Sequence, residues 1–145
     1  MEARCQCGLV RLTTPLPAPL KIYICHCTEC RHQSSSAFGI SAIFPTFNIP
    51  SPASENLGMY RRITLSNRAL DCYFCKNCGS RVIHKTEGKE TLSVKGGCLV
   101  GLNKEMLTKE GGVAHIRCMS AVVEIPDGVE RWEEEPDDDE LGKRG

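Results

Sequence analysis

Seven of the ten cysteines fall into three tight clusters, Cys5-x-Cys7, Cys25-x-Cys27-x-x-Cys30 and Cys75-x-x-Cys78. Clusters this short read as metal-ligand sets. The two pairs, Cys5 with Cys7 and Cys75 with Cys78, complete a closed four-sulfur site whose role is structural. The triplet Cys25, Cys27 and Cys30 gives three sulfurs to a second ion, and three protein ligands plus an open position is how zinc is held when it does chemistry. The expected cofactors are therefore two Zn2+. An open zinc lowers the pKa of bound water, polarises a carbonyl, or holds an incoming thiol as thiolate. Three thiolates leave the centre with net negative charge, which weakens it as a generator of hydroxide. Thiolate exchange and carbonyl polarisation are the better uses.

The fourth position at the triplet has two readings. Water or a substrate atom fills it in one; in the other a further side chain does, drawn from Cys72, Cys98, Cys118, His26, His32, His84 or His115. His26 faces away if its two flanking cysteines share a face, and Cys98 and Cys118 lie in apolar runs that suit buried thiols. The polar string Arg31-His32-Gln33-Ser34-Ser35-Ser36 follows the triplet, and Arg31, Gln33, Ser34, Ser35 and Ser36 are expected to orient a polar or anionic substrate. Its other reading is a solvated loop.

A disulfide framework is the competing account of a small cysteine-rich chain. The N-terminus has no basic patch followed by an apolar stretch, so it reads as lacking a secretory signal. A cytoplasmic, reducing location is expected, where thiols stay reduced. Cys5 and Cys7 are two apart and on a strand would aim at one point.

The elements that must position these residues read as mainly β, in a single domain over residues 3–132. One strand is expected from Arg4 to Thr14, another from Lys21 to Cys25, and a helical turn after the triplet through Gln33. Further strands are expected at Ala37–Phe44, Leu57–Leu65, Ala69–Phe74, Ser80–His84, Thr91–Val94 and Ala114–Ile125. Asn103–Glu110, ended by Gly111-Gly112, reads as a helix. Strand, Cys75-Lys-Asn-Cys78-Gly79, strand is the pattern of a zinc ribbon.

Hydrophobic content of 41% and charged content of 25% are those of an ordinary globular chain. No apolar run approaches the roughly 18 residues that span a bilayer, so no membrane partner is expected. Net charge is zero, but residues 133–145 hold seven acids and two bases, leaving 16 bases against 11 acids in the body. Zinc-bound thiolates bring that body near neutrality, and its bases are scattered, so no nucleic-acid partner is expected. The acidic tail, 133–145, cannot bury anything and is expected to be disordered.

Read together, Cys5-Gln-Cys7-Gly8, Cys25-His-Cys27-Thr-Glu-Cys30-Arg31, Phe74-Cys75-Lys-Asn-Cys78-Gly79-Ser80, His115-Ile116 and the tryptophan-bearing end resemble the glutathione-dependent formaldehyde-activating enzyme family. The Ser34-Ser35-Ser36-Ala37-Phe38-Gly39 stretch is similar to that of fungal members. The resemblance implies an Mss4-like fold with zinc-ribbon knuckles, a structural zinc at Cys5, Cys7, Cys75 and Cys78, and an active-site zinc at Cys25, Cys27 and Cys30. It implies a carbon–sulfur lyase of the S-hydroxymethylglutathione type, acting on a small thiol or carbonyl substrate, with glutathione and formaldehyde as the family's pair. Some relatives are similar to lyases or dehydratases of natural-product pathways, and others to centromere-associated binding proteins, so a non-enzymatic protein-binding module is a further reading. Two departures bear on substrate. Val100 stands where many relatives carry aspartate, and Val122-Val123 where bacterial relatives often carry tryptophan.

Overall fold

The computed structural model describes residues 1–136. The described residues are mainly β, with ten strands and one short α-helix. In chain order these are β1 (Glu2–Arg4), β2 (Arg11–Thr13), β3 (Lys21–Cys25), α1 (Thr28–Ser34), β4 (Gly39–Pro45), β5 (Leu57–Ile63), β6 (Ala69–Cys75), β7 (Arg81–Thr86), β8 (Thr91–Lys95), β9 (Ala114–Ile116) and β10 (Glu130–Arg131). β1 and β2 form a separate antiparallel hairpin, and the other eight make one sheet in the order β10-β9-β3-β4-β8-β7-β6-β5. Pairing is parallel for β10–β9 and β9–β3 and antiparallel elsewhere.

Register assigns the sheet's two faces different jobs, because residues paired across neighbouring strands share a face and alternate along each strand. Ile22, Ala42, Val94 and Ile83 form one cross-strand row, with Ile24 and the Phe44–Leu92 pair on the same side. All are buried, and they join Ala3, Val10 and Leu12 of the hairpin in one core. Burial of each large side chain there is worth about 1.5–3 kcal/mol. The opposite face carries Tyr23, Ser41 and Lys95 in one row and Ile43, Ser93, His84 and Cys72 in the next. This polar side is the one on which Cys25 lies.

Three expected elements differ. Arg4 to Thr14 is a hairpin, not one strand: Gly8 takes φ +81° and the chain reverses between Arg4 and Arg11, so Cys5 and Cys7 sit in the turn. The strand begun at Ala114 stops at Ile116 because Arg117 adopts φ 55°, which breaks the ladder; a 3-10 turn, Cys118–Ser120, follows. Asn103–Glu110 forms only the 3-10 turn Glu105–Leu107. A segment of that length has too few residues to repay helix nucleation without strong packing. β10 was not anticipated. Of the acidic tail, Glu133 to Pro136 are described: the Glu134 carbonyl accepts from Arg117 N–H at 2.8 Å, and Glu135 pairs with Arg117 at 3.3 Å. The rest of the expected disordered tail lies outside the described residues.

Candidate metal centres and the cavity beside them

The first sulfur cluster is built from two knuckles that face each other. In one, Gly8 N–H donates to the Cys5 carbonyl at 3.3 Å and Val10 N–H donates to Cys5 Sγ at 3.3 Å. In the other, Gly79 N–H donates to the Cys75 carbonyl at 2.8 Å, a closure that uses the positive φ of Gly79. Ser80 ties them together, its Oγ accepting from Gln6 N–H at 3.1 Å and lying 3.3 Å from Cys78 Sγ. Cys5 and Cys7 sulfurs are 3.6 Å apart, and Cys7 and Cys75 sulfurs 3.7 Å, across 68 residues of sequence. A tetrahedral ion with metal–sulfur bonds of about 2.3 Å spaces its sulfurs by about 3.8 Å. A disulfide would bring them to about 2.05 Å, and all ten cysteines are free. The donor set fits a metal ion.

The second cluster sits where β3 ends. Cys25 closes the strand, Cys27 caps α1 with extended backbone, and Cys30 lies in the helix's first turn, its N–H donating to Cys27 Sγ at 3.3 Å. Both clusters could hold a metal ion: within each, one ligand atom per residue lies within 4.8 Å of all the others. Among the described residues, no other Cys, His, Asp or Glu joins the triplet at that distance. The alternatives for a fourth protein ligand are thereby accounted for. His26 is fully buried and turned to His115, with Nε2 and Nδ1 2.9 Å apart. His84 and Cys72 are partners across β6 and β7, further along the sheet.

The three thiols share protons unequally. Hydrogen bonds from Cys25 and Cys30, helped by backbone N–H groups of the helix start, hold the Cys27 thiol down to about 2, while Cys27, Cys30 and burial push the Cys25 thiol up. Such a set is poised to lose its protons to a cation.

The triplet opens on a cavity of about 460 Å³ whose floor is the sheet's polar face, including Ser41, Arg62, His84, Ser93 and Lys95. Glu135 and Pro136 form part of its rim. His84 is 8% exposed and accepts from the Arg81 guanidinium at 3.2 Å. Burial, then the charges of Lys95, Arg81 and Arg62, push it down to about 2, so it is neutral. A larger cavity, about 770 Å³, touches Cys5 and Cys78 and is lined by Gln33, Ser34 and Ser36. The wall of the smaller cavity contains all three triplet cysteines, and Lys95 borders both.

The polar string after the triplet divides. Gln33, Ser34 and Ser36 face the larger cavity, and Ser34 Oγ also bonds the Cys30 carbonyl at 2.7 Å and the Phe38 carbonyl at 3.0 Å. Ser35 is the left-handed cap of α1, and Arg31 bonds Thr28 Oγ1 at 3.2 Å; neither lines these two cavities. Val100 lines the larger cavity, while Val122 and Val123 are exposed and line neither. Sequence reasoning missed Lys95, Arg62 and Ser93. The one available signal was a lysine ending the alternating run Thr91-Leu-Ser-Val-Lys95.

A family model described as glutathione-dependent formaldehyde-activating enzyme matches residues 1–118, a span that includes all seven clustered cysteines. The chain belongs to this family. A crystal structure of a Rhodobacter sphaeroides protein, a structural genomics target, is similar at 25% identity, with a TM-score of 0.57, covering 74% of this chain and 94% of that one. A search of curated proteins gave no match. No helix among the described residues is long and apolar enough to cross a membrane.

Proposed function

We propose that this member of the family is a zinc-dependent carbon–sulfur lyase that makes or breaks the bond between a thiol sulfur and a carbonyl carbon, with S-hydroxymethylglutathione-type chemistry as its model. The observation that supports this best is the triplet itself: three sulfurs with no fourth ligand atom among the described residues, opening on a cavity. Cys5, Cys7, Cys75 and Cys78 would hold one zinc as a staple, and Cys25, Cys27 and Cys30 the other. When bound there, zinc supplies a site that keeps a thiol ionised and polarises a carbonyl. In the forward direction the carbon–sulfur bond forms and the thiol proton ends on the former carbonyl oxygen; nothing else is consumed.

The chain's own residues would do the rest. The cationic floor, Arg62 and Lys95, suits a substrate that carries a carboxylate, and neutral His84, whose Nε2 accepts from Arg81, would offer its other ring nitrogen as a hydrogen-bond donor. Gln33, Ser34 and Ser36 would meet the far end of a longer substrate in the second cavity, with Arg31 and Ser35 holding the loop in shape. The same site would serve a lyase or dehydratase acting on a pathway intermediate. A protein-binding module has less support, because a saturated second ion with no cavity beside it is what that reading calls for. Ten unbridged thiols suit a cytoplasmic location.

The test is adduct formation from glutathione and formaldehyde, measured above the spontaneous rate, with candidate carbonyl and thiol intermediates run beside it. Activity that follows the second equivalent of zinc supports the proposal. Full activity in protein carrying a single zinc would refute it.

A further inference from the structure

Lys95 is 6% exposed, and its ammonium donates to a neutral group, Ser41 Oγ, at 3.0 Å. No ion pair reaches it among the described residues. An ammonium has three donors and is costly to bury without an opposite charge. On the wall of the triplet cavity the carboxylates are Glu29 and Glu135, both exposed, and Glu135 is paired with Arg117. The cysteines of the triplet share that cavity with Lys95. Register explains the placement: Ser41 lies opposite both Tyr23 and Lys95, so the lysine stands in line with β3, two residues before its terminal Cys25, on the same face.

We infer that Lys95 is the counter-charge of the three-thiolate centre and biases it toward a thiolate, rather than a neutral group, as fourth ligand. The inference rests on the triplet being an open metal site. Three thiolates and a divalent ion are net negative before any substrate arrives. A fourth thiolate adds a second negative charge inside a partly buried cavity, where Coulomb interactions are several times stronger than in water. A buried positive charge beside it offsets that repulsion. A neutral fourth ligand gains nothing from the same lysine. Lys95 is thus a specificity-determining residue that favours thiol substrates.

The experiment uses the full chain loaded with cobalt(II), whose ligand-field bands report the fourth ligand at the triplet. Wild type and the variants K95M, K95Q and K95R are titrated with 2-mercaptoethanol, which binds as thiolate, and with imidazole, which binds neutral. The expected result is mercaptoethanol binding weakened at least tenfold in K95M and K95Q, imidazole binding changed less than twofold, and both retained in K95R. K95Q keeps a donor for Ser41 and replaces K95M if the latter misfolds. Loss of the second cobalt from both neutral variants but not K95R would support the inference as well. Unchanged thiol binding in the neutral variants, equal weakening of both probes, or loss of cobalt from K95R too would overturn it. Wild type taking up one cobalt would instead sink the metal-site reading, before any variant is compared.

Discussion

Gly39 lies opposite Cys25 across the β3–β4 ladder, and a Cβ placed on it would stand 3.1 Å from Cys30 Cβ and 3.1 Å from Gln33 Nε2. The missing side chain is what lets α1 fold back over β4 and bring Cys30 beside Cys25. Gly39→Ala is expected to push the helix outward, with a cost of about 1–3 kcal/mol for the overpacking. In competition with a chelator, metal affinity of the triplet should fall at least tenfold while the four-sulfur site is unchanged. Equal affinity at both sites in wild type and variant would contradict this.

The two clusters should separate by mutation. Cys75→Ser breaks a site that joins the first knuckle to the ribbon, and structural zinc contributes on the order of 10 kcal/mol in small zinc domains. It should abolish cooperative unfolding. Cys27→Ser is expected to keep the fold, lose one equivalent of zinc, and lose activity; elemental analysis with circular dichroism decides it. Unfolding of both variants to the same extent would make the triplet a second staple.

The fold class was readable from the alternation in β3, the apolar run of β4 and the strand–knuckle–strand order around Cys75 and Cys78, and the cysteine groupings that could hold a metal ion from spacing alone. Local conformation was less readable. Cys5 and Cys7 look like alternate residues of a strand, but the positive φ of Gly8 turns the chain between them and Val10. The helix expected at Asn103 shrank to one turn, Glu105–Leu107, because so short a segment does not repay nucleation even with Met106 and Leu107 against the core. Lys95 was hidden for another reason. A lysine at a strand end reads as solvated, and only the pairing of β8 with β4 shows that it is enclosed beside the cysteines.

Buried His84 sets an acid limit on stability. Its pKa, held near 2 in the fold against about 6.5 unfolded, means that between those values the unfolded chain binds one more proton than the native one. Stability therefore falls as pH drops below about 6.5, by up to about 1.4 kcal/mol per unit from this residue. Urea unfolding of wild type and His84→Gln at pH 6.5 and pH 5.0 gives the difference of differences. The variant should lose about 1.6 kcal/mol less than wild type. Parallel losses in the two proteins would mean that His84 is protonated in the native state.

The His26–His115 pair should behave as a unit. His26 Nε2 finds His115 Nδ1, while His26 Nδ1 has no partner among the described residues, so His115→Leu leaves a fully buried ring with neither nitrogen satisfied. The expected loss is about 1–3 kcal/mol. His26→Phe combined with His115→Leu should cost less than the sum of the single changes, read from urea midpoints. Simple additivity would show that the contact carries no coupling.

X-ray absorption at the zinc edge, taken with a metal count before and after addition of a thiol substrate, goes most directly to the open-site claim. Two zinc ions per chain should average three and a half sulfurs and half a lighter atom, rising to four sulfurs when the thiol binds at Cys25, Cys27 and Cys30. Four sulfurs per zinc in the free protein, or an endogenous nitrogen that the thiol does not displace, would contradict it.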